Sequence, residues 1–462
     1  MKRYALLALL VMALVFGAPA VIGIKAEARY QLAIDRIQQS GVKVISHNYD
    51  RGWFGSMAET SLTFDGPEDA AATGEPGSLR LTLLSTVSHG PVLSTGLGLA
   101  EIESEIKFGE RAILPPDYPA QIHTLVDLNG TGHTRIDLPA ADFSGSAQMP
   151  DISFGGLSGE VAFDIGGDAQ IQFVLNSLAV SSAGQKLVEL GETRLDSNSR
   201  TSSSGLMLGD GEFRVQQFVL NDPESGEQVV MHDLAIDLES SEELEQVSAV
   251  ASYRMGLIEV AGDVYGPGVL SVEMSRLPGP VLARLQQALA EIKAQKMSDA
   301  QRGMALSGLV MSVASELLKN DPTIAIKPLR LVTPDGTVEG ELSLRGAGLS
   351  LADVSSIPAL ASKLVADLSL RMPEKLFRSM LIKQIGQQLE QQMAAMIEQG
   401  GEAPELDRAQ LQQLVERQVD EQLKHWLSQE IIERDGDDLA TVASLSSGLL
   451  TVNGKTVPLS QQ

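Results

Sequence analysis

Between Val42 and about Leu277 the apolar residues recur at every second position, and this alternation limits the fold more than any other feature of the chain. It is clear in Leu79-Leu81-Leu83, Val161-Phe163-Ile165, Ile171-Phe173-Leu175 and Leu234-Ile236-Leu238. A period of two places one set of side chains on each face of a strand, one face packed and the other wet, as in antiparallel sheet. Asn129-Gly130, Asp210-Gly211 and Asn221-Asp222-Pro223 punctuate the runs as turns. Roughly a dozen successive strands with almost no helix predict one long antiparallel sheet, curled into a meander or groove. Residues 65–78 and 191–205 read as loops. Gly155-Gly156 lies between strands, where no helix follows to make a phosphate cradle.

The period changes at Leu277. Val281, Leu282, Leu285, Leu289 and Ile292 form one helical stripe. Ser298 caps a second helix, whose wide apolar stripe, Met304 to Leu318, predicts a buried helix or one lying on a sheet. Thr323 to Arg345 reads as a hairpin around Pro334-Asp335-Gly336, and Leu364 to Arg371 as a strand. Long helices follow from Pro373 and from about Glu405 to Glu433, and a hairpin closes the chain. Val272–Pro278 and Leu368–Pro373 resemble each other, each a strand that meets a Pro at the start of a helix. The fold class expected is α+β, with helices in the C-terminal half.

At the other end, Lys2-Arg3 precede an uncharged run of 21 residues, Tyr4 to Ile24. As a helix it would be about 31 Å long, the thickness of a bilayer's hydrocarbon core. The expectation is an uncleaved transmembrane anchor, with Lys2 and Arg3 on the cytoplasmic side. Residues 26–40 read as a short linking helix with Tyr30, Ile34 and Ile37 on one face. The domains expected are the anchor (1–25), a β-rich region (26–276) and a mixed helix and hairpin region (277–462). A Gram-negative source would place the body in the periplasm, on the inner membrane.

The chain carries 35 Lys+Arg and 60 Asp+Glu, a net charge of −25, and no Cys. That charge argues against nucleic acid as a partner and against a polybasic membrane patch. The missing Cys removes disulfides, thiolate metal sites and Cys nucleophiles. The six His include no pair at helical metal-ligand spacing. His123 and His133 can face each other across a hairpin, but two His do not make a zinc site. No Gly-x-Ser-x-Gly, P-loop or dinucleotide fingerprint is present, so no cofactor is expected.

Tyr49, Trp53 and Phe54 cluster within six residues of a chain that has only 2 Trp, 6 Tyr and 11 Phe. Gly52 allows a tight turn between them, and Arg51 can bond turn carbonyls or lie over a ring. These five, Tyr49, Arg51, Gly52, Trp53 and Phe54, are the candidate structural or interaction residues. The segment Tyr49-Asp50-Arg51-Gly52-Trp53-Phe54-Gly55-Ser56, behind an N-terminal anchor, resembles the YdgA family of bacterial envelope proteins. So does the closing strand Leu450 to Leu459. The resemblance implies a membrane-anchored periplasmic protein and supplies no catalytic residues. The expected function is non-enzymatic binding or scaffolding, with lipid acyl chains held in a sheet groove. The alternative is a protein-interaction module in which the C-terminal helix pair binds another protein or a second copy. A hydrolase would need a carboxylate or His site in a cleft.

Overall fold

The computed structural model describes residues 18–31, 34, 37–38, 43–64, 79–108, 118–144, 150–164, 166–182, 184–223, 225–294, 297–398 and 408–458. The chain packs as two compact units. One is Met1–Val247 with Pro278–Val313, and the other is Ser248–Leu277 with Ala314–Gln462.

The first unit opens with a helix, α1 (residues 18–31). Its strands then follow in order: Lys43–Arg51 (β1), Gly55–Phe64 (β2), Leu79–His89 (β3), a small hairpin of Val92–Leu93 (β4) and Gly96–Leu97 (β5), and Ala100–Phe108 (β6). Next are Ala120–Val126 (β7), Gly132–Leu138 (β8), Ala141–Phe143 (β9), Asp151–Phe154 (β10), Leu157–Phe163 (β11) and Ala169–Leu175 (β12). Leu178–Ser182 (β13), Gln185–Leu190 (β14), Thr193–Thr201 (β15), Met207–Asn221 (β16) and Gln228–Glu243 (β17) complete it. Every pairing is antiparallel, and nearly every strand pairs with the strand beside it in sequence: β1–β2–β3–β6–β7–β8 and onward to β17. This is the meander that the alternation predicts.

From β8 to β15 the strands share one interruption. β8 and β9, β11 and β10, β12 and β13, and β15 and β14 are each a single run broken once. The breaks line up across the sheet. Backbone hydrogen bonds bridge them, from Gly155 N to Ser177 O (2.8 Å) and from Gly191 N to Gln217 O (2.8 Å). A row of such irregularities bends a sheet along one line. Phe143 and Phe154, beyond the line, turn back to pack on the cluster of Ile106, Tyr118 and Ala120.

Residues 191–205, expected as a loop, contain strand β15. Ser197 and Ser199 there pair with Gly211 and Gly209. Small polar side chains set against glycine leave no apolar alternation to see, yet two neighbouring strands satisfy the backbone. The loop expected at 65–78 lies outside the described residues.

The second unit's strands begin with Gln246–Met255 (β18), Leu257–Val260 (β19), Asp263–Tyr265 (β20) and Gly268–Pro278 (β21). After β21 come helices Gly279–Ala294 (α2) and Asp299–Leu318 (α3), which belong to the first unit as far as Val313, and the second unit resumes with strands Thr323–Thr333 (β22) and Gly336–Gly346 (β23). Short helices Leu351–Val354 (α4) and Ile357–Lys363 (α5) lead to Leu364–Pro373 (β24), and two long helices follow, Glu374–Glu398 (α6) and Arg408–Ser428 (α7). The last strands are Glu433–Asp435 (β25), Asp438–Ser446 (β26), Leu449–Val452 (β27) and Lys455–Val457 (β28). The two look-alike segments end β21 and β24. In each case two helices follow, and then a strand that pairs antiparallel with the first.

Ser298 caps α3 as expected. Its Oγ accepts from Gln301 N at 3.3 Å while Gln301 Oε1 accepts from Ser298 N at 3.0 Å, a reciprocal capping box. The helix itself is not buried: Met304, Val310 and Met311 are 68, 60 and 57% exposed. Its sequence states an apolar demand without stating what meets it. In the second unit α6 and α7 meet that demand between themselves. Leu381, Ile385, Val415 and Val419 form their seam, and the Phe377 and Trp426 rings lie 5.9 Å apart at its end. Arg434 holds Glu374, at the start of α6, through two bonds of 2.8 and 3.0 Å.

Among the described residues no helix is long and apolar enough to cross a membrane. The expected anchor, residues 4–24, overlaps them only over its last turns, 18–24, and residues 4–17 lie outside.

Candidate functional site

The five candidate residues form a corner between β1 and β2. Gly52 N donates to Gly55 O at 2.9 Å and closes the turn. A Cβ on Gly52 would come within 2.5 Å of that carbonyl, and one on Gly55 within 2.9 Å of Val87 O, so the corner's tightness requires both glycines. Trp53 and Phe54 at its tip are 60 and 54% exposed.

The corner is fastened from two directions. On one side is α1. Tyr30 OH donates to Glu59 O (3.2 Å) and lies 2.7 Å from the Thr60 hydroxyl, and its ring sits 5.2 Å from that of Tyr49. Arg51 pairs with Glu27 at 2.8 Å, a partner from α1 rather than the turn carbonyls or ring face that its sequence position suggested. The Tyr49 hydroxyl is enclosed here without a hydrogen bond of good geometry. Burial pushes its pKa up, with the nearby Ser56 hydroxyl acting in the other direction.

On the other side is His89, at the end of β3. His89 Nε2 lies 2.9 Å from Ser56 Oγ, and Nδ1 lies 3.3 Å from the Trp53 carbonyl. A carbonyl only accepts, so Nδ1 carries the proton, and in the neutral ring Nε2 accepts from the Ser56 hydroxyl. His89 N also donates to Phe54 O at 2.8 Å. A serine bonded to an oriented histidine is the arrangement of a nucleophile and its base. Here both residues are 4% exposed, and Gly23 of α1 lies on the imidazole, where a Cβ would be 2.5 Å from Cε1. Nothing in this geometry lets a substrate reach Ser56 Oγ, so the pair acts as a clamp.

Glu101 occupies the opposite face of the sheet, since it pairs with Ser88, the neighbour of His89. The β4–β5 hairpin folds over it. Ser94 donates to Glu101 Oε2 from its hydroxyl (2.6 Å) and its backbone N (3.2 Å), and His123 Nε2 lies 3.0 Å from Oε1. These bonds hold the carboxyl at about 2, well below its usual 4.5, Ser94 contributing most and His123 next, against an opposing effect of burial. The folded-state value is the lower one, so the stabilisation is complete above about pH 4.5 and is lost as pH falls through 2. A single hairpin is thin cover, and nearby water screens the effect. Glu101→Gln is therefore expected to cost about 1–2 kcal/mol at pH 7 and close to nothing at pH 2, as read from urea midpoints at the two pH values.

Glu101, Glu103 and His123 each bring a ligand atom within 4.8 Å of the others, and they are the one group among the described residues that could together hold a metal ion. Both oxygens of Glu101 already serve Ser94 and His123, which makes the group a structural carboxylate first. His123 and His133 do not face each other. His123 pairs with Arg135 and His133 with Leu125, and His133 lies 3.6 Å from Asp127. Gly155-Gly156 is the break between β10 and β11, with no helix after it.

Sequence reasoning found the corner from its aromatic density but missed Gly23, Glu27, Tyr30 and His89, which fasten it. One signal was present: His89 is the only titratable group from Leu81 to Ala100.

No curated protein and no solved structure matches the chain. One family model does, over residues 1–460, a bacterial protein of unknown function (DUF945). With the match running from one end of the sequence to the other, the chain belongs to the DUF945 family of bacterial proteins.

Proposed function

We propose that this chain is a non-enzymatic envelope protein, tethered to the inner membrane through residues 4–24, whose periplasmic body holds lipid acyl chains on the apolar face of its first-unit sheet. The YdgA-like features at both ends of the sequence support the placement. One observation carries the ligand. Across β8, β11, β12, β15, β16 and β17, directly paired residues line up as Ile136, Gly159, Phe173, Leu195, Phe213 and Ile236. Leu138, Leu157, Leu175, Thr193, Val215 and Leu234 run beside that row on the same face, with Thr193 its one polar member. The other face carries Arg135, Glu160, Gln172, Asp196, Glu212 and Asp237.

Alternation of this kind normally buries the apolar face, but here only Gly159 and Val215 of the two rows are buried, and Leu195 and the neighbouring Leu238 are 38 and 50% exposed. Six strands at about 4.8 Å give a face about 24 Å wide. Half of a 30 Å hydrocarbon core, about 15 Å, is the reach of one acyl chain, so such a chain lies across this face with room to spare. The interaction-module alternative has less support, because the α6–α7 seam is consumed between those two helices.

The test is extraction of the full chain in mild detergent, followed by mass spectrometry of copurified lipid. Phospholipid is expected at about one molecule or more per chain, falling several-fold in Leu195→Asp/Leu238→Asp. Those sites already touch water, so the fold tolerates the change. Lipid no higher than on an unrelated single-span protein, or undiminished in the variant, would overturn the reading.

A further inference from the structure

We propose that the corner at residues 52–54 and the β4–β5 hairpin form a collar that seats the first unit on a lipid bilayer around the point where α1 emerges. This rests on the anchor reading above and adds a second membrane contact that the anchor alone does not require.

The argument begins with the height of His89. Gly23, the last residue but one of the uncharged run, lies directly on the His89 ring. The imidazole therefore marks the level at which apolar sequence gives way to charge, because Lys25, Glu27 and Arg29 follow on the far side. His89 is bonded to the carbonyls of both Trp53 and Phe54, so the two aromatic side chains leave the backbone at that same level. Three residues after His89 the chain enters the β4–β5 hairpin, where Val92 and Leu97 are 63 and 67% exposed. Val21 and Ile24 of α1 are each 55% exposed.

Six large apolar side chains from three separate elements thus face solvent around one helix. The backbone that carries them has no charge from Gly52 to Ala58 or from Leu81 to Ala100, His89 aside. The ion pair of Arg51 with Glu27 sits on the charged side of Gly23. Aromatic rings concentrate where a bilayer meets water, and apolar side chains dip into that zone around an inserted helix. A protein partner would satisfy the same exposure, but continuity with the 4–24 run favours lipid. With a net charge of −25, the contact has to be apolar insertion, not attraction to anionic headgroups, so it should be indifferent to salt.

The experiment uses the full chain, reconstituted in vesicles of phosphatidylethanolamine and phosphatidylglycerol. Its two tryptophans are Trp53 and Trp426, so Trp426→Phe leaves Trp53 as the reporter. Bromine placed high on the acyl chains is expected to quench Trp53 by at least two-fold, with no change between low and high salt. Because the chain has no cysteine, Leu97→Cys bearing a polarity-sensitive dye gives a second reading, free of any effect of the Trp426 change; a blue shift on reconstitution is expected. Flotation and alkaline extraction report the anchor separately. Firm membrane retention with an unquenched Trp53 and an unshifted dye would overturn the collar and leave the anchor standing. Loss of retention would overturn both.

Discussion

Leu423→Ala is expected to lower the stability of the second unit by about 3–5 kcal/mol, the range for a large aliphatic side chain removed from a packed interior. Leu423 is 2% exposed and the neighbouring Val419 0%, the most enclosed large side chains among the described residues. They lie in the α6–α7 pair, where Leu381 and Ile385 of α6 meet Val415 and Val419 of α7. A side chain this enclosed leaves a cavity that its surroundings fill only in part. Trp426, three positions from the change and packed on Phe377, reports the transition by its fluorescence once Trp53→Phe silences the other indole. Leu414→Ala, on the same helix but 41% exposed, should cost less than about 1 kcal/mol. Equal losses at the two sites would mean that the helix pair is not the core of this unit.

His89→Ala is expected to cost the first unit about 3 kcal/mol, through a different mechanism. The substitution empties a ring-sized space beneath Gly23 and leaves the Ser56 hydroxyl buried with no partner. Ser56→Ala alone should cost about 1–2 kcal/mol, because it orphans His89 Nε2. Replacing both partners, His89→Leu with Ser56→Ala, removes the polar atoms together, and most of the loss should return. Urea unfolding of the parent, His89→Leu, Ser56→Ala and the His89→Leu/Ser56→Ala double variant closes a double-mutant cycle, with a coupling of about 1–2 kcal/mol expected. Additive losses would mean that the serine and histidine do not act as one clamp.

The strands of the meander were legible because each of them alternates, and an alternating segment has one reading whichever neighbours it finds. β15 was not, because Ser197 and Ser199 lie opposite glycines and have no apolar signal to give. α3 shows the converse, a strong stripe whose partner could not be read: Met304 faces solvent although its spacing predicts cover. The candidate corner was visible as three aromatics in six residues. Its fastenings were not, since Arg51 reaches back 24 positions to Glu27 and Ser56 forward 33 to His89. Local pattern carries no information about contacts at such separations, and only the pairing of β2 with β3 and the packing of α1 on β1 bring them together.

The order of the first-unit strands bears on how the chain acquires its structure. Most ladders join a strand to its immediate predecessor and the others skip only one or two short strands, so each closure confines a short connection and carries a small entropic penalty. A polypeptide delivered amino end first can zipper one ribbon at a time onto a finished template, without waiting for distant sequence to arrive. For a body this rich in pleated structure, that shortens the interval in which bare ribbon edges lie open to aggregation.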